Sequence, residues 1–291
     1  AVTVRPRADF VAGLKALTGK RVSVDPDNAV AAIFETLKAA GATIVEHRDP
    51  TILPKAVKNP VEQQGQRDAQ AIDGVAVTRF LHWLAVEGPK GEVTEMSAAA
   101  KLLEFRQRCG DLRDLSFDTI SGAGPNAASP HYRVSEESSL TLEPESVYLV
   151  DSGGQYPCGT TDITRTVWIG TMEAPGKTSL HEVKDRFTRV LKGTIAIDRA
   201  VFPKGTNGSQ LDTLARQFLW SVGLDYAHGT GHGVGSFLSV HEGPQRIAKA
   251  TGGQAGTMQE LLPGMILSDE PGYYKACLLY TSDAADEGLG V

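Results

Sequence analysis

The stretch "HGTGHGVGSFLSVHEGP", from His228 to Pro244, sets three of the chain's seven histidines among five glycines. Each glycine costs a helix about 1 kcal/mol relative to alanine and weakens a strand. An ordinary amphipathic element is therefore excluded here. His228 and His232 stand four apart, a spacing that on a helix would place both on one face as zinc ligands. In the extended backbone that the glycines favour, the even spacing also sends both rings the same way. His241 starts on the opposite face and needs a bend to join them. A lone histidine is ordinarily a surface or core residue, but three this close, with no helix to absorb them, point to a site.

The acidic residues repeat the oddity. "SVYLVDSGGQY" and "GTTDITRTVWIG" are β-branched runs that predict an antiparallel hairpin, with Asp151 ending the apolar part of the first and Asp162 early in the second. Carboxylates facing one another across a hairpin repel unless a cation sits between them. Turn capping beside "SGG" would account for Asp151 alone, but not for Asp162 interrupting a strand of threonine and aliphatics. Glu270, in "MILSDEPGYY", follows a predicted last strand, where a bare carboxylate is costly to bury unless paired or bound to metal. Its neighbour Asp269 alternates to the other face and is expected in solvent. Oxygen donors with one imidazole suit a hard divalent ion such as manganese better than a thiolate-seeking one. A pair of such ions can ionise water for hydrolysis. "GAGPNA", Gly122 to Ala127, matches a relaxed dinucleotide pattern but has no helix after it and reads as a loop. Neither an HExxH helix nor a GxSxG elbow is present in the sequence.

Composition narrows the partners. The 291 residues carry 29 basic and 35 acidic side chains, for a net charge of -6, without a basic cluster. This argues against nucleic acid as a partner. No apolar run approaches the roughly 18 residues needed to cross a bilayer, and "AVTVRPRADF" lacks the apolar core of a signal peptide. Cys109, Cys158 and Cys277 are too scattered for a disulfide framework, which favours a reducing compartment, and the cytoplasm is the expectation. The Asn207-Gly208-Ser209 acceptor pattern matters only in a secreted protein.

The first fifty-odd residues alternate strand "RVSVDP", helix "NAVAAIFETLKAAG" and strand "ATIVEH". A long helix is predicted from Pro60, with Ile72, Ala76, Phe80 and Leu84 on its buried side. Thr94 caps a second helix, and two more are predicted around His181 to Ala200 and Ser209 to Val222. Helices interleaved with antiparallel strands, without a βαβ rhythm, make the chain α+β.

In order and spacing, "DSGGQY", "TDITRT", "HGTGHGVG" and "SDEPGYY" resemble the aminopeptidase P family of pita-bread metallopeptidases, and "VHEGP" its long, three-domain form. The resemblance implies that residues 1–57 are a remnant of the second N-terminal α/β domain, 58–275 the pita-bread catalytic domain and 276–291 an aberrant tail. It implies two divalent ions, manganese first with zinc or cobalt as alternatives. Asp151 would chelate one ion, Asp162 would bridge both, and His232 and Glu270 would hold the other, Glu270 also moving a proton. His131, His228 and His241 would contact the substrate, a peptide with proline in second position. A homodimer and a cytoplasmic location are further expectations. The family normally ends with an arginine and a glutamate that bridges the ions, whereas this chain reads "CLLYTSDAADEGLGV" after Ala276. Glu287 has no β-branched surroundings there, so an impaired enzyme is expected. A prolidase-like dipeptidase and a non-catalytic peptide-binding module are the alternatives.

Overall fold

The computed structural model describes residues 3–171, 180–250 and 256–275. The tail after Ala276, with Cys277 and Glu287, lies outside the described residues. The chain divides into a unit Ala1–Lys55 and a unit Ala56–Val291.

In the first unit α1 (Phe10–Lys15) precedes β1 (Arg21–Val24), α2 (Ala31–Ala39) and β2 (Thr43–Glu46), and α3 (Ile52–Ala56) follows. The two strands pair in parallel, Val22 opposite Ile44, which requires the crossover that α2 supplies. Leu37 is the fully buried anchor of that helix. Gly41, at φ 73°, turns the chain back toward β2.

The second unit begins with α4 (Pro60–Glu87) and α5 (Glu95–Gln107). Each starts on a capping box, Asn59 with Glu62 and Thr94 with Ser97, which satisfies amide donors that the first turn leaves open. The sheet consists of β3 (Asp114–Ala123), β4 (Ser146–Tyr156), β5 (Gly159–Thr160) and β6 (Ile163–Ile169). β4 is central, antiparallel to β3 on one side and to β5 and β6 on the other. Val77, Phe80 and Leu84 of α4 and Ala98 and Leu102 of α5 pack on Ala123, Tyr148, Val150 and Ile169 of this sheet, forming the main core. Beyond it lie α6 (Leu180–Asp198), α7 (Gly208–Trp220), β7 (Gly231–His232) and β8 (Arg246–Ile247). Asn207 of the acceptor pattern is the N-cap of α7.

Several expectations need correction. The buried face of α4 runs through Gln66, Ala69, Asp73, Ala76, Val77, Phe80 and Leu84, so Ile72 is only half-buried at its margin. Asp162 is not a strand residue. β4 pairs Asp151 with Thr164, and Asp162 lies in the break between β5 and β6. Gly153 marks that break, because a Cβ there would stand 1.9 Å from the Thr161 carbonyl oxygen. The predicted last strand is no regular strand either. Residues 264–275 form isolated bridges, Met265 with Val57 and Leu267 with Gly233, plus hydrogen bonds from the Ser268 and Glu270 amides to the carbonyl oxygens of His232 and Thr230. Gly124–Ala128, expected as a loop, closes into one 3-10 turn.

Candidate metal centre

Each site residue stands where the backbone departs from regularity. Asp151 lies in β4 where the sheet is about to split, and Asp162 occupies the split itself. His232 ends the short β7, flanked by glycines where a Cβ would meet the Ser268 and Glu242 carbonyl oxygens at 2.1 and 1.9 Å. Only glycine lets three backbone segments approach so closely around one imidazole. Glu270 is fixed by the hydrogen bond its amide donates to the Thr230 carbonyl oxygen and by the Ser268 hydroxyl, which donates to Oε1 at 2.6 Å.

The donors converge. Nε2 of His232 lies 3.3 Å from Asp162 Oδ2 and 2.9 Å from Glu270 Oε1. Its Nδ1 faces the Gly233 carbonyl oxygen at 2.9 Å, which directs Nε2 into the cluster. Neither carboxylate is aligned to accept a hydrogen bond from Nε2. Donor atoms of Asp162, His232 and His241 lie within 4.8 Å of one another. The His232 and His241 rings meet edge to face, with centroids 4.2 Å apart. His228 turns its Nε2 to the Tyr274 hydroxyl at 3.1 Å. His228 stands close enough to Glu270, and His131 close enough to His241, to act on them electrostatically. All seven residues singled out in the sequence thus lie in or beside one cluster.

Its electrostatics are those of crowded carboxylates compensated only in part, by the His232 imidazole. Burial first, and repulsion from Asp162 second, push the Asp151 carboxyl up to about 7. Asp151 Oδ1 is buried and has no hydrogen-bond partner among the described residues. Burial alone would lower His232, but the adjacent Asp162 and Glu270 carboxylates outweigh it and push the imidazole up to about 10. Glu270 is likewise drawn below its ordinary range, against burial, by His232 and Ser268. An orphaned carboxylate oxygen, an imidazole nitrogen aimed at no acceptor and two further carboxylates are a donor set that a hard divalent ion fits.

Residues 64–291 match the model of metallopeptidase family M24, and residues 1–62 that of the creatinase/prolidase N-terminal domain. The chain belongs to metallopeptidase family M24. Its fold is the pita-bread α+β architecture preceded by a creatinase-type N-terminal domain. This M24 chain is 48% identical over 243 residues to a probable Xaa-Pro aminopeptidase P of Paracoccidioides brasiliensis, covering 82% of the chain and 38% of the relative. It is 40% identical to aminopeptidase P2 of Arabidopsis thaliana, covering 94% and 41%. Among solved structures it resembles X-prolyl aminopeptidase from Caenorhabditis elegans, described as a cytosolic enzyme with a di-nuclear active site. That likeness has a TM-score of 0.80 and 37% identity over 94% of this chain and 44% of that one. The M24 chain therefore spans less than half the length of these relatives. No described helix is long and apolar enough to cross a membrane.

The structure adds residues the sequence reading passed over. Asp269 is not in solvent: both its carboxylate oxygens are buried without a hydrogen-bond partner among the described residues. Burial, then the charges of Asp198 and Glu270, push it up to about 7. The segment is irregular, so strand alternation does not turn this side chain outward. Lys58 and Glu242 form a buried ion pair beside His241 in sequence. Glu95 accepts from the Ala123 and Leu140 amides, from Asn126 and from the Tyr132 hydroxyl, tying down the loop that carries His131. Nothing short of the fold marks these acids as buried, since Glu242 and Glu95 find their partners far away in sequence and Asp269 has none among the described residues.

Ligation requires Asp151 and His232 without their protons. With these groups near 7 and 10, manganese binding at pH 7 is expected to release about one to two protons, and affinity to rise from pH 6 to pH 8. Calorimetry in buffers of different ionisation enthalpy measures that release, and binding without it would contradict the assignment of these ligands.

Proposed function

We propose that the chain carries the catalytic centre of an Xaa-Pro aminopeptidase, hydrolysing the bond between an N-terminal residue and a following proline. The convergence of Asp162, His232 and Glu270 donors within 3.3 Å of one nitrogen carries this reading. Asp151, Asp162, His232 and Glu270 would hold divalent ions, two in number and manganese by preference. Such ions supply Lewis acidity and make a water molecule ionisable near neutral pH. Glu270 takes the proton of the attacking water and returns it to the proline nitrogen as the C–N bond breaks. His228 and His241 stand at the rim to steady the carbonyl oxygen as its charge develops, and His131 contacts the peptide. The proline bond resists general peptidases because its nitrogen carries no hydrogen and its φ is fixed.

The same reading takes residues 1–57 as part of an α/β domain and 58–275 as the catalytic domain. It includes a homodimer in the cytoplasm. The sequence after Ala276 has no arginine and sets its single glutamate, Glu287, in an Asp-Glu-Gly context that differs from the family pattern. Two divalent ions would bring four positive charges against the carboxylates of Asp151, Asp162 and Glu270, and a further acid would balance them.

The test compares this chain with one completed by the C-terminal segment of the Paracoccidioides relative. With manganese, the completed chain is expected to release arginine from Arg-Pro-Pro and to cleave Gly-Pro far more slowly, while the present chain is slower by more than the ~100-fold typical of outer-shell changes. Faster cleavage of Gly-Pro would favour the dipeptidase alternative. No manganese binding by the completed chain would favour the non-catalytic module.

A further inference from the structure

α4 buries polar side chains that the chemistry above does not use. Gln66 and Asp73, about two turns apart, face the segment that leads into Asp162. Gln66 donates from Nε2 to the Thr160 carbonyl oxygen at 2.6 Å and accepts the Thr160 amide at 3.2 Å. Asp73 accepts the Thr161 hydroxyl on Oδ2 at 2.6 Å and the Tyr156 hydroxyl on Oδ1 at 3.0 Å. Arg106 of α5 grips the same carboxylate in a fork, from Nε at 2.7 Å and Nη2 at 3.0 Å. Asp73, Arg106 and Thr161 are all fully buried.

Every polar atom of Thr161 is engaged. Its amide donates to the Gly154 carbonyl oxygen at 2.9 Å, and its own carbonyl oxygen accepts the Ser116 hydroxyl at 2.7 Å. Its hydroxyl also accepts the Gly154 amide at 2.8 Å. Helix and strand meet closely here, since a Cβ on Gly159 would stand 2.7 Å from Gln66 Oε1 and 2.8 Å from Ala69 Cβ. The next residue after this clamp is Asp162, and β6 begins only at Ile163. One peptide unit, about 3.8 Å between Cα atoms, separates the held threonine from the carboxylate beside His232. A shift of Thr161 passes directly to that carboxylate, because no ladder bond intervenes.

We propose that Asp73 is a positioning residue for the metal centre: through the Thr161 hydroxyl it sets where the Asp162 carboxylate stands. The inference rests on the reading that Asp162 binds the ion. A stability role alone does not need this arrangement, since a buried ion pair replaced by apolar groups of similar volume is often neutral. What the ion pair adds is direction, with the Arg106 fork orienting the carboxylate that receives Thr161.

The experiment titrates manganese into the whole chain by calorimetry and follows melting of the same proteins in EDTA. Thr161→Val keeps the shape and removes the hydroxyl, and it is expected to weaken manganese binding about 10- to 100-fold. Thr161→Ser keeps the hydroxyl and is expected to hold affinity to within about twofold of wild type, well short of that loss. Tyr156→Phe removes another hydrogen bond from the same Asp73 and is expected to lower the melting temperature while leaving manganese affinity unchanged. Asp73→Asn provides a second route should Thr161→Val not fold, again with weakened binding expected. Affinity unchanged in Thr161→Val or Asp73→Asn would overturn the proposal, as would an equal loss in Tyr156→Phe. Wild-type protein that takes up no manganese at all would instead sink the metal reading, and the positioning role with it.

Discussion

Asp151→Asn is expected to make the metal-free protein more stable while abolishing its uptake of manganese. The carboxyl of Asp151 is raised to about 7 by burial and by the Asp162 charge, so the ionised form is a burden the fold carries. A group whose folded value lies above its unfolded value of about 3.9 stabilises the fold at low pH and loses that contribution as pH rises to the folded value. Wild type and variant should therefore match below about pH 4, diverge between pH 4 and 7, and differ at pH 8 by about 2–4 kcal/mol in favour of the variant. Urea denaturation in EDTA across that range measures the difference. The gain has a functional counterpart, since the variant loses a charged donor whose Oδ1 has no other partner among the described residues. Manganese affinity should fall by more than the ~100-fold typical of outer-shell changes, and any peptidase activity with it. A variant less stable than wild type at pH 8 would show that Asp151 serves the apo fold, and that its strain is not held in reserve for a cation.

How much of this was legible beforehand depended on whether a residue's partners are near it in sequence. The helix from Pro60 and the hairpin of β4 and β6 are local patterns, and both formed as their periodicity predicts. Asp151 and Glu270 stood out because an acid directly after an apolar run has no local excuse. Asp73 and Arg106 did not, because a charged residue on a helix is ordinarily assigned to solvent and their contact spans 33 residues. Ala76, Phe80 and Leu84 are buried on α4 as their spacing predicts, and only Ile72 yields its place on that face to Asp73. The β-branched run "GTTDITRTVWIG" predicts a strand that includes Asp162. The interruption comes from Gly153 and Thr161 across the sheet, which sequence spacing does not reveal. Asp269 fails for the same reason, since alternation predicts a side-chain direction only where a strand is regular. His131 carried no local signal at all, and only the likeness to a known family singled it out.

Arg216→Met is expected to cost the largest share of stability of any single change in the second unit outside the cluster. The guanidinium is 1% exposed and donates to Asp212 Oδ2 at 2.6 Å, to Asp225 Oδ1 at 2.8 Å and to the carbonyl oxygens of Tyr226 and His228 at 2.6 and 2.8 Å. It also stacks 3.8 Å from the centre of the Tyr226 ring. Methionine fills much of the volume but leaves Asp212 as a buried charge and both carbonyl oxygens without their donor. Breaking such a pair from one side costs about 3–5 kcal/mol, mostly because the remaining charge is uncompensated. The double variant Arg216→Met with Asp212→Asn should therefore be more stable than Arg216→Met alone, by about 1 kcal/mol or more, since Asn keeps an acceptor for the Thr230 hydroxyl. Equal losses in the single and the double variant would mean that the carbonyl oxygens dominate and the charge does not. The two causes differ in what they do to the cluster. Arg216 holds the His228 backbone, Asp212 holds Thr230, and the Thr230 carbonyl oxygen accepts the Glu270 amide. Because Asp212→Asn keeps the Thr230 acceptor, manganese titration of the folded double variant is expected to show ion binding by Asp162, His232 and Glu270 intact, and weakened binding would mean that the His228 backbone anchor also positions the ion site.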